Sequence, residues 1–305
     1  MDNKTKGALL IIGAAFFWGI SGTVAKMIFN TDIDPIEVSN MRISLAAVIC
    51  IIYLAMGKSS LLQVSSTGLK RIAILGISMA LMQGSYYYAI ARLNVSLAIF
   101  IQYLSPVIIT AYCTVVLKEK MTMSRGAALV FAMIGSYFII FGGGDLGVEL
   151  NIDGVAAGLI SALCSAFYII YGQKCTGQYN PWTVLTFGMA TGAFIYMFIC
   201  PPWILWAGRT SAELLFVGYL AVFGTVVPFT LYLNGFRYLA PAAVNIIGMS
   251  ETVIASISAY VIPGELLSAK QIIGAVLIVL AVITIQSFDY IMEFVSKKTQ
   301  LKKEL

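Results

Sequence analysis

Apolar runs of about 20 residues, the length a helix needs to cross a bilayer, recur from end to end of this chain. Ten are legible, over residues 7–29, 36–56, 69–91, 94–117, 123–142, 152–173, 182–206, 212–236, 241–262 and 268–288. The linkers between them are too short to fold as water-soluble domains. A bilayer offers no water to satisfy peptide N–H and C=O groups, so such runs take the form of internally bonded helices. Composition agrees. Of the 305 residues 60% are hydrophobic and 11% are charged, where a soluble domain carries about 25% charged residues. The reading is an all-α integral membrane protein with ten transmembrane helices, its first partner being the lipid bilayer. The first run is too long for the apolar core of a signal peptide and has no evident cleavage site, so it counts as a span.

Short cytoplasmic loops carry an excess of Lys and Arg. With the N-terminus inside, fourteen of these residues fall on the cytoplasmic side, and only Arg92, Arg209 and Lys270 fall outside. The acidic loops bearing Asp32, Asp34, Asp145, Glu149 and Asp153 then lie outside. Both termini are expected in the cytoplasm, with the C-terminal KKTQLKKEL as a solvated anchor, and the plasma (cell inner) membrane as the location. Because the cations flank spans instead of forming a patch, nucleic acid is not an expected partner. The chain has no His and no GxxxxGK[ST] loop, and its five Cys are scattered without a CxxC pair. Imidazole chemistry, an ATP motor and a disulfide framework are therefore not expected. No metal or cofactor is expected either.

An offset of 146 residues lays Pro35 on Pro181, Tyr86 on Tyr232, Leu93 on Leu239 and Glu119 on Glu265. The matches fall at equivalent places relative to helix ends. Residues 1–146 and 147–305 are thus expected to be two five-helix repeats. An odd number of helices per repeat inserts the second upside down relative to the first. Inverted repeats place a substrate site near the membrane midplane, between the halves.

Several stretches resemble the drug/metabolite transporter superfamily, in particular its ten-helix EamA-type members. They are FFWGISGTVAK (16–26), DPIEVSNMRISLAA (34–47), YYYAIARLNVSLAIFIQYLSPVIITAYCTVVLKEKMT (86–122) and LYLNGFRYLAPAAVNIIGMSETVIASISAYVIPGELLS (231–268). The likeness covers nearly the whole chain. One departure stands at Thr252, where family members often have proline after the ninth-helix glutamate. The resemblance implies secondary transport of small metabolites, commonly amino-acid or amine-like, and often export.

Glu251 sits almost at the middle of 241–262, with no other charged residue between Ala240 and Ile262. A carboxylate at that depth costs about 2.5–3.5 kcal/mol on insertion scales, so it should face protein or water. Gly248, Glu251, Ala255 and Ser258 share one helical stripe, whereas Val253, Ile257 and Val261 suit lipid. Glu251 reads as a proton carrier, as a counter-charge for a cationic substrate, or as a structural hydrogen-bonding group. Trp18, at the middle of the first span, offers a flat wall to a ligand or packs beside Gly19 and Gly22. Ser105, the repeat partner of Glu251, precedes Pro106. With Gln102 it forms either a polar ligand contact or a mere packing kink. Arg42 holds a substrate carboxylate or pairs with an acid such as Glu37. Lys26 reads as a snorkelling cation. The tyrosines at 86–88, 168, 171 and 232 read mostly as an interfacial belt, with the deeper Tyr103 as a ligand-contact candidate. Gly154/Gly158 and Gly188/Gly192 read as close-packing pairs.

These residues point to a secondary transporter working by alternating access on a small-molecule substrate, with protons as a candidate coupling ion. In it Glu251 switches charge, Trp18 and Tyr103 meet the apolar part of the substrate, and Gln102 and Ser105 meet its polar part. The rivals are an intramembrane enzyme, for which convergent catalytic groups are wanting, and a non-transporting receptor or scaffold. The charge asymmetry generates a direct check. A cysteine placed at Asp145 should react with an impermeant thiol reagent on intact cells; protection there with labelling at Lys58 would reverse the orientation.

Overall fold

The computed structural model describes residues 2–28, 35–93, 95–118, 121–142, 151–199, 201, 206–262, 264 and 266–304. Glu119, Glu265, Asp32, Asp34, Asp145 and Glu149, and the side chain of Lys26, lie outside the described residues. The chain runs as α1 (Asn3–Ile28), α2 (Pro35–Gly57), α3 (Ser66–Arg92), α4 in two pieces (Val95–Gln102 and Ser105–Val115) and α5 (Met123–Phe141). It continues as α6 (Ile152–Gln178), α7 (Pro181–Ile199), α8 (Ser211–Ala221 and Val227–Gly235 joined by a π turn), α9 (Pro241–Gly248 and Ser250–Val261) and α10 (Ala269–Glu304). Among the described residues nine of these are long and apolar enough to span a membrane. The remaining one, α3, is 27 residues long but more polar, carrying Lys70, Arg71, Gln83 and three consecutive tyrosines. The all-helical reading holds. The last helix runs on well past the expected residue 288, through the stretch read as a solvated anchor.

Local chemistry sets the helix starts. Ser65, Thr122 and Asn151 cap α3, α5 and α6, each accepting the N–H three residues on. Thr210 and Glu213 close a reciprocal capping box on α8. Pro181 and Pro241 occupy first helical turns, where a missing N–H costs nothing.

The packed pairs obey a simple rule. The second pieces of α8 and α9 pack on α1, as α3 and α4 pack on α6. Helix α7 packs on α3 as α2 packs on α8, while α2 lies along α7 and α5 along α10. For these pairs, replacing every helix by the one five places away returns the same set. Details follow the pattern: a Cβ added to Gly7 would come 2.8 Å from Leu239 Cγ, and one on Gly154 would come 2.7 Å from Leu93 Cγ. Gly158 has equally little room against Ile101, and the backbone of Gly188 lies against Gly76.

The α5–α10 contact is the most extensive of these crossings. A Cβ on Gly135 would come 2.7 Å from the Gly274 carbonyl oxygen, and one on Gly274 would come 2.6 Å from that of Gly135. Without a hydrophobic drive between helices in lipid, such backbone approach carries the association. Gly135→Val should therefore destabilise the protein by about 1–3 kcal/mol, the usual cost of overpacking. Gly126, with open space at its Cβ, should tolerate Ala. Equal melting temperatures for the two variants in nanodiscs would contradict this packing.

Candidate functional site

A cavity of about 460 Å³ lies inside the bundle. It runs from Tyr168 and Phe229 in the interior to Ile140, Leu266 and Gln271 at the end of the bundle away from the amino terminus. On the amino-terminal side an aromatic plug closes it. Trp18 meets Phe229 and Tyr232 edge-on at 5.1 and 5.0 Å, Tyr232 meets Phe236 at 4.7 Å, and Tyr168 contacts both phenylalanines.

The structure brings all six candidate residues, Trp18, Arg42, Gln102, Tyr103, Ser105 and Glu251, to the wall of this one cavity. Gly248 and Ala255 of the inward stripe line it too, and Ile257 and Val261 face the bundle exterior. Ser258 turns instead to α1 and donates to the Gly19 carbonyl at 3.4 Å. The lining repeats at the 146-residue offset: Tyr86 with Tyr232, Gln102 with Gly248, Tyr103 with Met249, and Ser105 with Glu251. The cavity is built from matching positions of both halves.

Two helix breaks shape its walls, at residues related by the same offset. In α4 the turn at Tyr103–Leu104 leads into Pro106, which has no N–H to continue the ladder. In α9 the turn at Met249 forms without proline. The Met249 carbonyl accepts both the N–H of Thr252, at 3.1 Å, and its hydroxyl, at 2.6 Å. A serine- or threonine-like side chain competing for backbone groups in this way tightens and bends a helix. Glu251 therefore stands in the first turn of a half-helix. A third irregularity, the π turn Val222–Val226, precedes Pro228, and its Gly224 reaches the cavity wall. Such turns recur at functional sites.

Polar groups of the wall divide into those already bonded and those open. The Gln102 amide donates to Ser161 Oγ at 2.8 Å, and Ser161 in turn donates to the Met82 carbonyl at 2.9 Å. Asn245 Nδ2 donates to Ser105 Oγ at 2.8 Å. Among the described residues no side chain hydrogen-bonds the Glu251 carboxylate. Three phenols, of Tyr86, Tyr103 and Tyr232, lie within electrostatic range of it, and Tyr86 is within range of Arg42 as well. Arg42 is buried, with its guanidinium 5.8 Å from the Tyr87 ring centre and its Nε without a hydrogen-bond partner.

Two expectations need correction, and two residues were missed. Arg42 does not pair with Glu37: that carboxylate binds Arg209 at 2.5 Å, because positions five apart on a helix face different ways. Tyr86, Tyr87, Tyr168 and Tyr232 line the cavity and do not form an interfacial belt; distance from a helix end does not reveal which face a ring occupies. Asn245 and Gln83, both buried on the cavity wall, escaped notice. Each is an uncharged polar side chain deep in an apolar span, which was the available signal.

The bonds at Gln102 yield a check on this geometry. Gln102→Ala and Ser161→Ala should each cost about 1 kcal/mol, and the double variant should cost less than their sum because they share one bond. Additive losses of thermal stability would mean that the bond is not formed.

Comparison with known proteins gives a consistent picture. The model of the EamA-like transporter family matches residues 5–141 and again 152–286. A Salmonella typhimurium protein called an uncharacterized inner membrane transporter, YicL, is 24% identical over 93% of this chain and 96% of its own. An uncharacterized transporter of Archaeoglobus fulgidus is 25% identical over 87% of this chain and 91% of its own. The threonine/homoserine exporter RhtA of Salmonella typhimurium is 23% identical over 68% of this chain and 67% of its own. A solved crystal structure covers 95% of this chain with a TM-score of 0.78 at 15% identity, a likeness of fold.

Proposed function

The chain belongs to the EamA-like transporter family, a multi-pass membrane transporter, and we propose that it exports a small amino-acid or amine-like metabolite by alternating access. The observation that carries this reading is the Glu251 carboxylate, without a side-chain hydrogen-bond partner among the described residues, on the wall of a cavity assembled from equivalent positions of both halves. Residues 1–146 and 147–305 act as inverted repeats, and the cavity faces one side of the membrane at a time. The amino-terminal end is the cytoplasmic one, so the cavity described above faces out. Name and family of the relatives support the direction only as far as the exporter RhtA is similar.

In the cavity each residue has a stated task. Glu251 attracts a substrate ammonium or takes up a proton, and the rings of Trp18, Tyr86, Tyr103 and Tyr232 present π faces that favour a cation. Arg42, with an open Nε, holds a substrate carboxylate. Trp18 and Tyr103 also cover the apolar part. Ser105 already accepts from Asn245, so its hydroxyl hydrogen is what remains for the substrate. Gln102, one of whose two amide hydrogens is committed to Ser161, offers its carbonyl oxygen and its second amide hydrogen. A carboxyl that trades a proton for a cationic group gives proton-coupled exchange.

Glu251→Gln tests this, using a substrate found by thermal-shift screening of amino acids and amines. Gradient-driven flux into liposomes should fall to background in the variant. If the carboxylate neutralises the substrate, binding should weaken by about 30-fold or more, as when one partner of a buried charge pair is removed. If it serves coupling alone, substrate exchange without a proton gradient should persist. Full pH-dependent flux through Glu251→Gln would overturn the reading.

A further inference from the structure

The two broken helices meet unequally. The first piece of α9, Pro241–Gly248, packs on the second piece of α4, Ser105–Val115, towards the amino-terminal end. The Asn245–Ser105 hydrogen bond joins them. The complementary pieces, Val95–Gln102 and Ser250–Val261, share no comparable packing, and the cavity lies between them, lined by Ile99 and Gln102 on one side and Glu251 and Ala255 on the other. The offset of 146 residues carries Ser105 to Glu251 and Ile99 to Asn245. It also carries Cys113, which is buried, to Ala259, which lines the cavity.

Exchange of the two conformations would bring Val95–Gln102 onto Ser250–Val261 and part the other two pieces. In the contact that forms, Glu251 takes the place of Ser105 and Ile99 that of Asn245. The amide that bonds Ser105 on one side thus has an aliphatic counterpart on the other. A carboxylate pressed against Ile99 loses water and receives no donor from that side chain, a costly burial that a neutral carboxyl or a paired ion avoids. Among the described residues the titratable and charged groups within electrostatic range of Glu251 are the Tyr86, Tyr103 and Tyr232 phenols, with Arg42 beyond Tyr86, while Gln102, one turn from Ile99, already donates to Ser161. None of these stands in the place that Ile99 fills.

We propose that Ile99 is a positioning residue that makes closure of the cavity conditional on Glu251 being protonated or paired with a substrate cation. It prevents the empty, charged carrier from switching, and so couples the two fluxes. This rests on the alternating-access reading above.

Thiol labelling in nanodiscs tests it without a substrate. Two reporters are used one at a time, in chains whose other cysteines are replaced: native Cys113, and Ala259→Cys. A soluble maleimide is applied at pH 8, and labelling is normalised to the denatured protein. In the unaltered chain Ala259→Cys should react and Cys113 should be protected. Ile99→Asn, which supplies the missing donor, should raise Cys113 labelling by about tenfold, within what a hydrogen bond to a charged group supports. It should protect Ala259→Cys in parallel. Glu251→Gln should do the same, and Ile99→Leu should keep the unaltered pattern at both reporters. In liposomes Ile99→Asn should also flatten the pH dependence of substrate exchange. Asn245→Ile, which removes the opposite bond, should expose Cys113 in any alternating carrier. If Asn245→Ile moves the labelling while Ile99→Asn and Glu251→Gln do not, the role of Ile99 is wrong but alternation stands. If no variant moves either reporter, alternation itself fails.

Discussion

An ionisable group in the middle of a membrane has to be answered by water, by a partner or by a proton, and the interior of this bundle is arranged around that requirement. Glu251 is answered by none of the described side chains as a hydrogen-bond donor. Instead the helices part beside it and leave a cavity. The two helix breaks, at Tyr103–Leu104 and at Met249, place backbone irregularity at the same depth as the carboxylate. Irregular backbone at membrane depth is tolerated where it lines such a cavity.

The paired architecture explains why one half carries the charge and the other its structural counterpart. At Ser105 the break in α4 is tied to α9 by Asn245. At the equivalent place in the other half, Glu251 faces the cavity where Ile99 supplies no amide. A strictly symmetric pair of halves would give two equivalent surfaces and no preference. On the proposed alternating-access reading, substituting one polar pair by Ile and Glu turns a symmetric scaffold into one whose two conformations differ in how they treat a charge. The aromatic plug is also one-sided. The equivalents of Trp18, Tyr168 and Phe229 are Cys164, Gly22 and Gln83, so the ring stacking that closes the amino-terminal end has no counterpart opposite.

Much of this was legible in the sequence. Apolar runs marked the spans because length and lipid exposure dictate them. Glu251, Trp18 and Arg42 stood out because a charge or a large ring within an apolar run has few innocent explanations. The offset between the halves survived as Pro35/Pro181 and Tyr86/Tyr232. What stayed hidden depends on facing and local bonding. Tyr86, Tyr87, Tyr168 and Tyr232 look interfacial by depth and prove to be lining by rotation. The Met249 break has no proline to announce it, only a threonine whose hydroxyl takes the Met249 carbonyl. Asn245 is one polar residue in an apolar stretch, and its partner is 140 residues away.

The central claim is that Glu251 changes its protonation or its ionic partner as the carrier works. Infrared difference spectroscopy of the purified protein in lipid, between acidic and alkaline solution, observes carboxyl groups directly. The account predicts a C=O stretching band of a protonated carboxyl that disappears on alkalinisation and is missing in Glu251→Gln. The same band in both proteins, or no carboxyl band assignable to this residue, would contradict it.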